Sequence, residues 1–290
     1  MCSNRTPFWL EPRKLPLFAL NRIALSRLSW VDFLRTARRL EVSAIELRND
    51  LAGVELQAGP GALEVGAMAR GLGLRIRSIN ALQRFEQFDA QRAEQAREMI
   101  RQAQDAGAEC LVLCPTNDRR DPRRAAERAS DLLAALNQLA PRLRDAGLTG
   151  LIEPLGFAEC ALRLKSQAIE AIGQCRDPGV FALVHDTFHH RLAGEDSLFA
   201  AHTGLVHVSG VRDTTRPWAE LRDGHRVLVD EHDRLGSVDQ LHDLLASGYQ
   251  GLVSFEPFAA EVCQAEDGAA QLARSMDWIR EALARRAGTA

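Results

Sequence analysis

The chain has 290 residues, enough for one barrel of alternating strands and helices, which typically takes about 250. Hydrophobic residues make up 46% and charged residues 26%, a balance that excludes global disorder. Lys plus Arg total 36 against 39 Asp plus Glu, a net charge of −3; that balance counts against a broad nucleic-acid-binding face, and no apolar run approaches the roughly 20 residues a membrane crossing needs.

Short β-rich runs alternate with longer helical stretches throughout. Residues 1–16 read as a tail without the continuous apolar stretch of a secretory signal, and 17–290 as the folded domain. The first strand is LFALNRIA (17–24), followed by a helix near 30–41. IELRND (45–50) and LRIRSIN (74–80) are strands two and three, with GALEVGAMARGLG as helix between them. From Asp89 to Gly107 the spacing predicts a helix, because Ala93, Ala96, Ile100 and Ala103 recur at steps of three and four. ECLVLCP (109–115) is a buried strand stopped by its proline. A helix over 122–146 follows, which Pro141 is expected to kink or divide. LTGLIEP (148–154), VFALVHD (180–186), LVHVSG (205–210) and GLVSFEP (251–257) complete eight strands, with helices near 165–174, 195–202, 237–247 and 264–286. Strands buried on both faces explain the nearly continuous apolar runs. Eight such units close into a (β/α)₈ TIM barrel, an α/β fold of a single domain. An open doubly wound sheet would normally carry a glycine-rich turn after its first strand, and Asn21-Arg22-Ile23-Ala24 is not one. The six cysteines are scattered without a CxxC pair, as expected of reduced thiols in a cytoplasmic protein.

The last four strands end in, or carry near their ends, residues able to bind a divalent cation: Glu153, Asp186, His207 and Glu256. Side chains alternate along a strand. Glu153 therefore shares a face with Leu151, Asp186 with Val184 and Ala182, His207 with Leu205, and Glu256 with Ser254 and Leu252. Those faces are assigned to the barrel interior, so the four polar groups converge at the C-terminal mouth, where active sites of this fold lie. Three clustered carboxylates repel one another and need a positive charge. One cation on three carboxylates and an imidazole, Mn²⁺, Mg²⁺ or Co²⁺ as readily as Zn²⁺, supplies it. His189 lies three residues after Asp186, in a stretch expected to be a loop, and is a substrate-facing candidate. His185 has the wrong parity for the interior, His190 is assigned to solvent, and His225 and His232 lie in the 212–233 connection, long enough to cover the mouth. Asn21, Glu46, Arg48 and Asn80 are further mouth-lining candidates, equally readable as loop-fixing groups.

At LNRIA, AIELRNDL, HDTFHH, LVHVSG and GYQGLVSFEPF the chain resembles the xylose-isomerase-like superfamily of sugar isomerases and epimerases, most nearly the inosose (2-keto-myo-inositol) isomerase-like proteins of inositol catabolism. The resemblance implies a (β/α)₈ fold and a divalent cation held by Glu153, Asp186, His207 and Glu256, with Glu153 and Glu256 also moving protons. It further implies substrate contacts from His189 and from an arginine beyond His207, for which Arg212 and Arg216 are candidates and Arg212 is taken first. The VRDTTRP segment departs from the ketohexose-epimerase spacing and leaves a cyclic or branched polyol open. The expected function is metal-dependent isomerisation or epimerisation of a small keto-sugar or inosose, with homo-oligomerisation left open and with no nucleic-acid or membrane partner. Two rivals stand beside it. One is an apurinic/apyrimidinic endonuclease, for which Asp223-Gly-His225 or Asp230-Glu-His232 would be the Asp-x-His element, although no His precedes His185. The other is a non-catalytic sugar- or polyol-binding barrel.

Overall fold

A computed structural model describes residues 15–51, 56 and 59–287; Cys2 and most of the predicted tail lie outside them. Eight parallel strands, β1 (Leu17–Asn21), β2 (Ala44–Arg48), β3 (Arg75–Gln83), β4 (Ala108–Cys114), β5 (Thr149–Ile152), β6 (Phe181–Asp186), β7 (Thr203–Val208) and β8 (Leu252–Phe255), close in chain order, with β8 pairing back onto β1. The helices outside them are α1 (Trp30–Arg39), α2 (Ala62–Gly71), α3 (Ala90–Ala106), α4 (Ala125–Ala146), α5 (Lys165–Gln174), α6 (Thr187–Ala193), α7 (Ser237–Ala246), the short α8 (Ala260–Cys263) and α9 (Gly268–Ala287). No described helix is long and apolar enough to cross a membrane.

Alternation sorts the core into two shells. Ala19, Ala44, Cys110, Val112, Cys114, Leu151, Val184, Leu205 and Leu252 fill the barrel interior. Ile152, Leu183, Phe181, Val206, Val208, Val253 and Phe255 join the larger layer under the helices. These are the two faces that strand parity predicts. His185, on the outer face, is fully buried; its Nδ1 lies 2.9 Å from Lys165 Nζ and its Nε2 2.9 Å from Gln240 Oε1. The five described cysteines are all buried and unpaired.

Five expectations need correction. The first strand stops at Asn21, whose side chain accepts the Ile23 N–H and starts a short 3₁₀ turn over Arg22–Leu25. Pro141 does not divide α4: Leu136, Leu139, Ala140 and Leu143 bury on both sides of it, and this packing holds one helix despite the lost donor. The helix expected near 195–202 instead follows β6 directly. Asp186 caps α6 by accepting the His189 N–H at 2.9 Å, Gly194 ends the helix in the left-handed region at φ 66°, and only a 3₁₀ turn spans Ala200–His202. His189 is therefore helical, not in a loop. His190, expected in solvent, is half-buried with its ring 4.8 Å from that of His185.

Candidate metal centre

The register of the last strands assembles the site. Asp186 pairs with His207 across β6 and β7, and His207 with Ser254 across β7 and β8. Glu153 and Glu256 each extend the ladder one residue beyond their strands, their N–H groups donating to Leu113 O and Val208 O at 3.0 Å. One ligand atom from each of Glu153, Asp186, His207 and Glu256 lies within 4.8 Å of the others, and all four residues are buried. His207 Nδ1 lies 3.0 Å from Glu153 Oε1 and 3.2 Å from Glu256 Oε2. Burial alone would lower the His207 pKa, but the Glu256, Glu46 and Glu153 carboxylates outweigh it and hold it well above the usual imidazole range. Burial likewise opposes charge on Glu256, yet His207 and Arg226 keep its carboxyl far below the usual range. Three carboxylates and one imidazole, converging and buried, fit a divalent cation of borderline or hard character.

Two arginines and a cysteine complete the surroundings. Arg226, 1% exposed, donates to Asp186 Oδ2 at 2.5 Å, to Glu256 Oε2 at 2.9 Å and to Ser209 Oγ at 3.1 Å. Its guanidinium sits 4.8 Å from the Phe258 ring centroid and 5.4 Å from that of Phe188. Arg48 reaches Glu256 Oε1 at 2.9 Å and is paired with Asp50. Asn21 also donates to Glu256 Oε1, at 3.1 Å. The Cys114 thiol, its pKa raised by burial and by Glu153, lies 3.3 Å from Glu153 Oε2.

His189 is 4% exposed beside this centre, edge-on to Phe157 and Phe188 at 5.2 Å, and its Nδ1 has no hydrogen-bond partner among the described residues. The structure does not bring Arg212 or Arg216 to the site. Arg212 is half exposed, paired with Asp230, and lines a cavity of about 740 Å³ between the 228–231 segment and α9; Arg216, also exposed, pairs with Asp213. Besides Arg48 on Glu256, the arginine that meets these four residues is Arg226, on both Asp186 and Glu256. An antiparallel bridge between Gly210 and Val227 folds the long connection back over the mouth, and Arg226 O accepts from Phe258 N at 3.0 Å and Ala259 N at 2.8 Å. Nothing in the local sequence marks Arg226, because its placement depends on that return of the chain. Glu46 is different: it shares a strand face with the interior residue Ala44, so parity alone already aims it inward.

The model of the family described as xylose isomerase-like TIM barrel matches residues 34–282. Among curated proteins none matches. A solved structure of a xylose isomerase domain containing protein from Salmonella typhimurium LT2 is 32% identical, covers 93% of this chain and 99% of its own, and superposes with a TM-score of 0.85. The IolI protein with a bound zinc atom is 18% identical over 92% of this chain and 98% of its own, TM-score 0.81. A D-psicose 3-epimerase with D-tagatose from Clostridium cellulolyticum H10 is 14% identical over 92% and 99%, TM-score 0.69. The last two likenesses show the fold.

Proposed function

Because the chain belongs to the xylose isomerase-like TIM barrel family, we propose that it is a divalent-metal-dependent isomerase or epimerase of a keto-sugar or keto-inositol, with Glu153, Asp186, His207 and Glu256 as the metal ligands. The observation that carries this reading is the convergence of those four ligand atoms within 4.8 Å. The zinc of the IolI structure and the D-tagatose of the psicose epimerase agree with the ligand class. A cation held there would supply Lewis-acid stabilisation of the negative charge that develops on the substrate oxygens.

The chain's own groups account for the rest. Glu153 and Glu256 approach the centre from the ends of β5 and β8, and both lie against His207 Nδ1. One glutamate takes the proton from the carbon beside the carbonyl, and the bonding pair moves onto oxygen to give an enediolate. Return of a proton to the neighbouring carbon, with the hydroxyl proton passing from one oxygen to the other, completes a 1,2-shift; return to the opposite face of the same carbon completes an epimerisation. Arg226 and the unpartnered His189 Nδ1 orient substrate hydroxyl and carbonyl groups, and the buried aromatic rings of Phe157 and Phe188 exclude water.

Solvent-deuterium incorporation across a panel of ketoses and inososes with Mn²⁺, read by mass spectrometry, tests the proposal. One added deuterium in recovered substrate or product, abolished in Glu153→Gln or Glu256→Gln, is expected. No label in any member of the panel, or full turnover by both variants, contradicts it.

A further inference from the structure

We propose that Glu46, outside the four-residue ligand set, is the positioning residue that fixes the orientation and tautomer of His207 so that Nδ1 faces the cation; this rests on the metal-dependent reading above. His207 presents its two nitrogens to two different groups of carboxylates. Nδ1 faces Glu153 and Glu256, and Nε2 faces Glu46 Oε2 at 3.2 Å. The rigid ring lies between, so Glu46 cannot reach the centre that Nδ1 reaches.

The carboxylate is built to stay there. Glu46 and His207 are both fully buried. Glu46 Oε2 accepts from Ser78 Oγ at 2.6 Å and from Asn80 Nδ2 at 2.9 Å, and Asn80 Nδ2 also reaches Ser78 Oγ at 2.9 Å. The contacts from Ser78 and Asn80 thus fall on the same oxygen that meets His207. The β2–β3 register explains the assembly, because Glu46 pairs with Ser78 after a shift at Ile45/Glu46. A carboxylate accepting Nε2–H does three things to a ligating histidine. It keeps the proton on Nε2, holds the ring plane, and makes Nδ1 a better donor.

Mn²⁺ titrations monitored by electron paramagnetic resonance on purified wild type, Glu46→Ala, Glu46→Gln and Glu153→Gln test this, together with ¹⁵N-histidine spectra of the Zn²⁺-loaded proteins. Glu46→Ala should weaken Mn²⁺ binding about 10–100-fold, and the His207 signals should lose the pure Nε2–H pattern. Glu46→Gln keeps the volume and an acceptor but not the charge. It should lose less affinity, retain the tautomer, and carry the test if the alanine variant fails to fold. Wild-type affinity in the Glu46 variants that fold, or an unchanged tautomer in Glu46→Ala, with binding weakened by Glu153→Gln, would overturn the Glu46 role alone. Equal Mn²⁺ affinity in wild type and Glu153→Gln would overturn the metal reading and this role with it.

Discussion

Replacing Arg226 by Met keeps much of the side-chain volume and removes a buried guanidinium that meets two carboxylates of the ligand set, Asp186 at 2.5 Å and Glu256 at 2.9 Å. Removing one partner of a buried pair costs about 3–5 kcal/mol, because the remaining charges stay buried without compensation. At roughly 2–4 °C per kcal/mol for a chain of this size, the melting temperature in EDTA should fall by about 10 °C. Adding Mn²⁺ should then separate this variant from wild type. The guanidinium repels a cation bound at the same carboxylates, so its loss should raise Mn²⁺ affinity at least about tenfold, worth about 1.4 kcal/mol of additional ligand-dependent stabilisation. Differential scanning fluorimetry with EDTA and with saturating Mn²⁺ measures both effects. Arg212→Met is the control: its pair with Asp230 is half exposed, so its stability should stay within about 1 kcal/mol of wild type. An Arg226→Met variant as stable as wild type in EDTA, or gaining no more from Mn²⁺, would refute the argument.

Gly156→Ala should destabilise the fold by about 1–3 kcal/mol and raise KM, because a Cβ there would lie 2.0 Å from His189 O and 2.8 Å from Ala193 N and push α6 away; chemical denaturation and steady-state kinetics check this, and an unperturbed variant would show that α6 yields freely. Lys165 gives a pH prediction. Burial lowers its amine from the usual range to about 8, so the folded state releases this proton earlier than the unfolded chain does. Between about pH 8 and 10.5 the unfolded state binds more protons, and this residue's contribution to stability rises with pH, by about 3 kcal/mol in all. Lys165→Met should therefore flatten the stability–pH curve over that window, measured by urea denaturation; an unchanged slope would exclude Lys165 as its source.

The barrel was legible in eight alternating strand and helix segments, and the convergence of the four proposed ligands in the two-residue period of a strand, which decides inside from outside without knowledge of the neighbours. Ala182, Val184 and Asp186 share the inner face as the spacing requires, as do Leu205 and His207. Glu46 obeys the same rule beside Ala44. Arg226 could not be found this way. It reaches the centre through the return of residues 209–227 and the bridge between Gly210 and Val227, a tertiary event with no local period, whereas Arg212, nearer in sequence, is carried outward to Asp230. Helix α6 does carry a readable local signal. Asp186 followed by Thr-Phe-His is an N-cap with its acceptor placed for the third N–H, so one aspartate both starts the helix and faces the centre. Pro141 shows the opposite case, where a local rule is overridden by leucine packing on both sides of it.

The most direct measurement is anomalous diffraction at the manganese absorption edge from crystals grown with Mn²⁺. The account predicts a single peak per chain at bonding distance, about 2.0–2.2 Å, from Glu153, Asp186, Glu256 and the Nδ1 atom of His207. No peak at the barrel mouth, or one bound by other residues, would contradict it.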